Sequence, residues 1–165
     1  MGRIEAWKFA VNLALHRPIV GGGFNAFLPE TFAVYAPGVR ARAGHSIYFD
    51  MLGHHGFLGL GLFVLLMVVS WRAGSRIMSL TRKVPEQRWA YDLAAMCQVC
   101  LIGYWAGGAF LSLSYFDGYY VIISLLVLTQ LVVERELKAA AGSPAAASVT
   151  PTVDSRRTAS GHAVS

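Results

Sequence analysis

Gly56-Phe57-Leu58-Gly59-Leu60-Gly61-Leu62-Phe63-Val64-Leu65-Leu66-Met67-Val68-Val69-Ser70-Trp71 is the stretch on which the fold turns. It carries no charge, and a bilayer is crossed by about 20 consecutive, largely apolar helical residues. Just ahead of it, Ala43-Gly44-His45-Ser46-Ile47-Tyr48 brings one imidazole to the head of the apolar segment. His45 therefore sits at the mouth of a membrane helix, where water and lipid-borne substrates meet. The loop before it carries Arg17, Arg40 and Arg42, with Glu30 alone to oppose them. An imidazole beside guanidiniums at a membrane surface points to chemistry on an anionic, lipid-linked substrate.

Composition agrees with a membrane setting. The 165 residues are 55% hydrophobic and 14% charged, where soluble domains carry about 25% charged residues. The net charge of +5 is spread over loops and tail without a dense basic run. That excludes nucleic acid as a natural partner and favours anionic lipid or diphosphate.

Downstream, Leu93 to Val133 contains a single charge, Asp117. This run is about twice what one crossing needs. Asp117-Gly118 is a turn signal, and Tyr115, Phe116, Tyr119 and Tyr120 around it are rings suited to a membrane interface. The spacing predicts a helical hairpin, with spans at 92–113 and 119–134 and its tip at Asp117. Together with 56–71 this makes three spans.

Between the first span and the hairpin, residues 72–88 read as a charged loop, with Arg72, Arg76, Arg82, Lys83 and Arg88 against Glu86. Residues 3–16 read as an amphipathic helix with Ile4, Trp7, Val11 and Ala14 at helical spacing, closed by Pro18. Gly21-Gly22-Gly23 reads as a flexible turn able to lend backbone N–H groups to phosphate. It lacks the Lys-Ser/Thr of a nucleotide loop. Cys97 and Cys100 form a C-x-x-C inside an apolar helix, which reads as packing rather than redox chemistry. No signal peptide is expected at Met1–Lys8. The Ala/Ser/Thr/Pro-rich end is expected to be disordered.

The fold expected is all-α: a polytopic membrane protein of three transmembrane helices, preceded by a periplasmic amphipathic helix and loop. Residues 1–55 form the loop segment with His45, 56–134 the membrane domain and 135–165 a disordered cytoplasmic tail. A segment 1–55 carrying five cations has no preceding span to lead it across, so further helices upstream are expected.

Several motifs carry a resemblance when taken in order. They are Arg3-x-x-x-Trp7, Arg17-Pro18-Ile19-Val20-Gly21-Gly22-Gly23-Phe24, Ala43-Gly44-His45-Ser46-Ile47-Tyr48 and Leu52-Gly53-His54-His55-Gly56-Phe57-Leu58-Gly59. With Gly107-Gly108-Ala109-Phe110-Leu111 and Tyr115-Phe116-Asp117-Gly118-Tyr119-Tyr120, they make residues 2–134 resemble the O-antigen ligase and polymerase superfamily, nearest to the exosortase-associated O-glycosylation ligases. The resemblance implies a multi-pass bacterial inner-membrane protein that moves a glycan from an undecaprenyl-diphosphate carrier to a glycan or protein acceptor. No cofactor and no metal are implied. His45 matches the family's loop histidine, and Arg3 its arginine ahead of the aromatic. Where the family has an acidic residue before His-Gly or Asn-Gly, this chain has His54.

The residue chemistry is compatible with that expectation. A lipid-diphosphate leaving group needs cations, and arginine's planar fork matches phosphate oxygens. An acceptor hydroxyl needs a base, and imidazole titrates near neutrality. His45 is accordingly the catalytic candidate, with Arg3, Arg40 and Arg42 as substrate-binding candidates. A metal site is not expected, since His54 lies on the opposite helical face from His45, nine residues on. The function expected is the C-terminal portion of a glycan ligase, with the chain inactive alone. The alternatives are a polysaccharide polymerase with the same chemistry and a non-catalytic truncated membrane module. Five cations in 72–88 against none at the hairpin tip put 72–88 in the cytoplasm, and His45 and Asp117 outside. Labelling of a cysteine placed at position 80 by an impermeant reagent added outside intact cells would overturn this topology.

Overall fold

Glycine and proline set the ends of the helices, and the apolar runs set their lengths. The computed structural model describes residues 2–142, which form helices and turns without a strand among them. The expectation of a disordered end falls, for 143–165, outside the described residues. Helix α1 is Gly2–His16, α2 Pro29–Tyr35, α3 Ile47–Thr81, α4 Arg88–Gly108 and α5 Asp117–Gly142. Pro29 opens α2, where a missing N–H would have had no helical partner anyway.

Helix α3 is broken at Gly56, whose φ of 66° and ψ of −163° are not helical. In an unbroken helix the Phe57 N–H would donate to the Gly53 carbonyl. Here the 17–22 segment takes both partners. Phe57 N donates to the Pro18 carbonyl at 2.8 Å, and Gly22 N donates to the Gly53 carbonyl at 2.8 Å. The crossing chains are so close that a Cβ at Gly56 would lie 2.5 Å from the Pro18 oxygen, and one at Gly21 would lie 2.6 Å from the Gly53 oxygen. The glycine run is therefore no flexible phosphate cradle. Gly21 N bonds the Arg17 carbonyl and Gly22 N the Gly53 carbonyl.

Below the break α3 continues to Thr81, a rise of roughly 37 Å at 1.5 Å per residue. Among the described residues it is the one helix long and apolar enough to cross a membrane. The loop expected over 72–88 is instead helix through Thr81, leaving a short connection before α4. Tertiary bonds hold this part of the helix. Arg76 Nε meets Glu134 of α5 at 3.1 Å. Gln98 of α4 donates to the Trp71 carbonyl at 3.0 Å and to Ser75 Oγ at 2.9 Å, in space that Gly74 leaves open. Helix α5 likewise outruns its expected end. Residues 135–142, expected as tail, are helical, with Glu136 bonded to Gln87 and alanines that favour helix.

Helix α1 buries Ala6, Phe9, Ala10, Leu13 and Ala14. Of the face expected from spacing, Ala14 is buried and Trp7 half-buried, while Ile4 and Val11 are exposed. Close approach decides this, because Ala10 faces Gly53 of α3 and larger side chains would hold the helices apart. Phe9, Leu13, Ala26 and Phe32 form a small core under the loop, with the Phe9 and Phe32 rings stacked at 3.7 Å. The larger core, including Phe63, Ile77, Leu101, Tyr119, Leu126 and Val133, lies between α3, α4 and α5. Cys97 packs into it as expected, whereas Cys100 is exposed; both are free. Leu58, Leu62, Val99, Ile102, Val121 and Leu128 face outward.

The crossing at Gly56 makes a stability prediction. Gly21→Ala and Gly56→Ala combine positive φ with backbone overlap and should each destabilise by more than about 1 kcal/mol. Gly61→Ala, in open space within α3, should be neutral or stabilising by up to about 1 kcal/mol. Thermal unfolding in detergent checks this, and equal behaviour of Gly56→Ala and Gly61→Ala would contradict the crossing.

Candidate functional site

The head of α3 gathers the residues with chemical potential. His45 is exposed and has φ +48°, the one non-glycine residue with positive φ among those described. Such a conformation persists only where neighbours impose it, and it occurs disproportionately at functional sites. The neighbours here are identifiable. Trp7 of α1 donates its indole N–H to the Gly44 carbonyl at 2.8 Å and stacks on Phe49 at 4.8 Å, with the rings 8° apart. On the other side Ser46 is buried at the N-cap of α3.

Asp50 completes this corner. It is 5% exposed, in the first turn of α3, with its N–H on the Ser46 carbonyl at 2.8 Å. Its Oδ1 occupies the place a Cβ on Gly44 would need, 2.6 Å away. A glycine before His45 is thus what lets a carboxylate approach. Burial raises the Asp50 pKa above its ordinary value, opposed by a hydrogen bond from Ser112 and by the nearby His45. The sequence, read for an acid before His-Gly, finds His54 and misses this one. A carboxylate five residues on, one helical turn into α3, was the available signal.

His54 and His55 converge on one phenol. His55 Nε2 lies 2.9 Å from Tyr115 Oη, and His54 Nδ1 lies 3.3 Å from the same atom. Burial, and then the neighbouring His55, lower the pKa of His54. For Tyr115, burial and then the negative charge of Asp50 raise it. The two histidines sit at the edge of an apolar cavity of about 590 Å³, whose lining includes Val20, Phe24, Met51, Leu58, Leu62 and Tyr120. Among the described residues no three His, Cys, Asp or Glu side chains come together as a metal site.

The arginines divide. Arg42 Nη2 lies 4.0 Å from Glu5 Oε2, and its guanidinium lies against Gly2, so it helps pin the 40–45 segment to the start of α1. Arg3 and Arg40 are exposed and make no ion pair among the described residues. Arg3 is one turn from Trp7, which holds Gly44, so α1 carries it to the His45 end. The three arginines do not converge on a single point of contact.

Asp50 predicts a pH dependence. Its folded pKa lies above the unfolded value, so its contribution to stability is fully present below the unfolded pKa of 3.8. It is lost as pH rises through the folded pKa. Asp50→Asn should therefore raise thermal stability at neutral pH, with the gain vanishing below about pH 4. A variant less stable than the parent at neutral pH would show that the fold favours the ionised carboxylate.

The chain matches no protein-family model, and no curated protein or solved structure is significantly similar to it.

Proposed function

We propose that this chain is the C-terminal portion of a multi-pass inner-membrane glycan ligase, transferring a glycan from an undecaprenyl-diphosphate carrier to an acceptor hydroxyl. One observation carries the reading: an exposed histidine in a strained conformation, beside a buried carboxylate, at the head of a helix long enough to cross a membrane. The two uncommitted arginines at that end suit a diphosphate. The outward apolar faces of α4 and α5 support counting them with α3 as three spans.

In this reading His45 accepts the proton of the acceptor hydroxyl as its oxygen attacks the anomeric carbon. The bond from that carbon to the diphosphate oxygen breaks, and the lipid diphosphate leaves as an anion. Asp50 stabilises the imidazolium that forms, and so stands in for the acid absent before His-Gly. Arg3 of α1 and Arg40 meet the diphosphate, with Arg42 holding the 40–45 segment to α1. The apolar cavity below His54 and His55 is of a chemistry to take the first prenyl units.

His45→Ala in the longer protein should abolish transfer while membrane expression persists, and near-parental transfer by that variant would remove the role. Losing one charge-assisted hydrogen bond of about 1.5–3 kcal/mol should make Arg3→Ala weaken donor binding about ten- to a hundredfold. Arg3→Lys should rescue only in part, because a point charge lacks the fork. Full rescue would mean that only local charge counts. The 165-residue chain alone, given a lipid-linked oligosaccharide and an acceptor in detergent, should show no turnover. Turnover that His45→Ala removes would show it to be self-sufficient.

A further inference from the structure

At the end of α3 remote from His45, three cations surround a recess with nothing in the proposed transfer to use them. The turn from α3 to α4 encloses a cavity of about 560 Å³, and Arg82, Lys83, Arg88 and Tyr91 line it. Arg82 and Lys83 form no ion pair among the described residues. Arg88 engages Asp92 through Nε at 3.2 and 3.3 Å, and its guanidinium lies 5.6 Å from the Tyr91 ring centre. The Thr81 hydroxyl is already bonded to the Ile77 carbonyl, so the recess offers anion-binding groups and little else. Glu86 is the remaining acid in the turn.

The same helix seam carries a second feature nearer mid-membrane. A wholly apolar groove of about 370 Å³ runs between α3 and α4, lined by Val64, Met67, Val68, Trp71, Ile102 and Trp105. The two features share a face. At 100° per residue, Val64, Trp71 and Arg82 fall within about 20° of one another on α3, as do Tyr91 and Ile102 on α4. Eleven residues separate each of the closer pairs, a rise of roughly 16 Å. Gln98 seals the seam behind, through its bonds to the Trp71 carbonyl and Ser75.

From this juxtaposition we infer that the α3–α4 seam is a binding site for an anionic diacyl phospholipid, its phosphate among Arg82, Lys83 and Arg88 and an acyl chain in the Trp71–Ile102–Trp105 groove. Charge complementarity at one end and apolar lining at the other select an amphiphile over a soluble anion or an apolar helix. Basic pockets at helix ends bind such headgroups, each nearby cation strengthening the attraction about fivefold. The inference rests on the reading that α3 and α4 lie in a bilayer, and is otherwise independent of the chemistry at His45.

The test uses the full chain reconstituted in phosphatidylcholine vesicles, with tryptophan fluorescence as readout. Chain-brominated phosphatidylglycerol should quench at a severalfold lower lipid fraction than equally brominated phosphatidylcholine. Trp71→Phe with Trp105→Phe should remove that difference. Arg82→Gln with Lys83→Gln and Arg88→Gln should abolish the preference. Arg82→Lys with Arg88→Lys, and Arg72→Gln off the seam, should keep it. Equal quenching by the two lipids would overturn the site and point to a second copy or another helix in the groove. A preference surviving the triple glutamine variant, or abolished by excess inorganic phosphate, would also overturn it, the latter in favour of a soluble anion. Alkaline carbonate extraction separates the two readings. Release of the chain from membranes defeats the spanning reading, whereas retention with equal quenching defeats the lipid site alone.

Discussion

The architecture depends on one interrupted hydrogen bond. Where α3 would join Phe57 N–H to the Gly53 carbonyl, the chain turns at Gly56 and offers both groups to the Pro18–Gly22 segment instead. Buried backbone polar groups must be paired, so the break and the crossing segment require each other. That exchange locks α1 against the head of α3, since only four residues separate the end of α1 from Gly21. It also sets where the membrane-length limb of α3 begins.

From that lock the candidate site follows in sequence. With α1 fixed, Trp7 reaches Gly44 and Phe49, and its indole N–H holds the peptide that precedes His45. With the head of α3 fixed, Asp50 lies against Gly44. A buried carboxylate is costly when ionised, and the Ser112 hydrogen bond and the nearby imidazole offset part of that cost. The site therefore combines two departures from a relaxed fold, a non-glycine residue at positive φ and an acid short of water. Both sit within one helical turn. Such costs are borne where function requires them.

The two ends of α3 differ in electrostatic character. At the head, titratable groups gather: Asp50 lies against Gly44, and His54 and His55 share hydrogen bonds with Tyr115. At the tail, fixed cations predominate. Arg76 and Arg88 are paired with Glu134 and Asp92, while Arg82 and Lys83 stand without carboxylates among the described residues. Titratable groups thus gather at one end of this helix and permanent positive charges at the other.

Much of this was readable from residues alone. The apolar run after Gly56, the Arg88–Asp92 pair and the placement of His45 ahead of a long helix are local signals, set by hydropathy and i,i+4 spacing; the hairpin tip expected at Asp117 instead lies at 109–116, with Asp117 opening α5. The helix through Arg72 and Arg76 was not readable, because Arg76 finds Glu134 on α5 and Gln98 of α4 bonds the Trp71 carbonyl and Ser75, partners that no window of sequence contains. The buried face of α1 was misread for a related reason: periodicity ranks Ile4 and Val11 by size, whereas close packing on Gly53 selects Ala6 and Ala10. The convergence of His54, His55 and Tyr115 joins residues some sixty positions apart. Asp50 passes for an ordinary first-turn acid until Gly44 is seen to make room for it. Sequence by itself determined which segments are apolar and that those segments are helical, because hydropathy is carried by each residue and its near neighbours. Tertiary structure alone decided which side chains meet at the head of α3, because that depends on the backbone exchange at Gly56 bringing distant segments within hydrogen-bonding range.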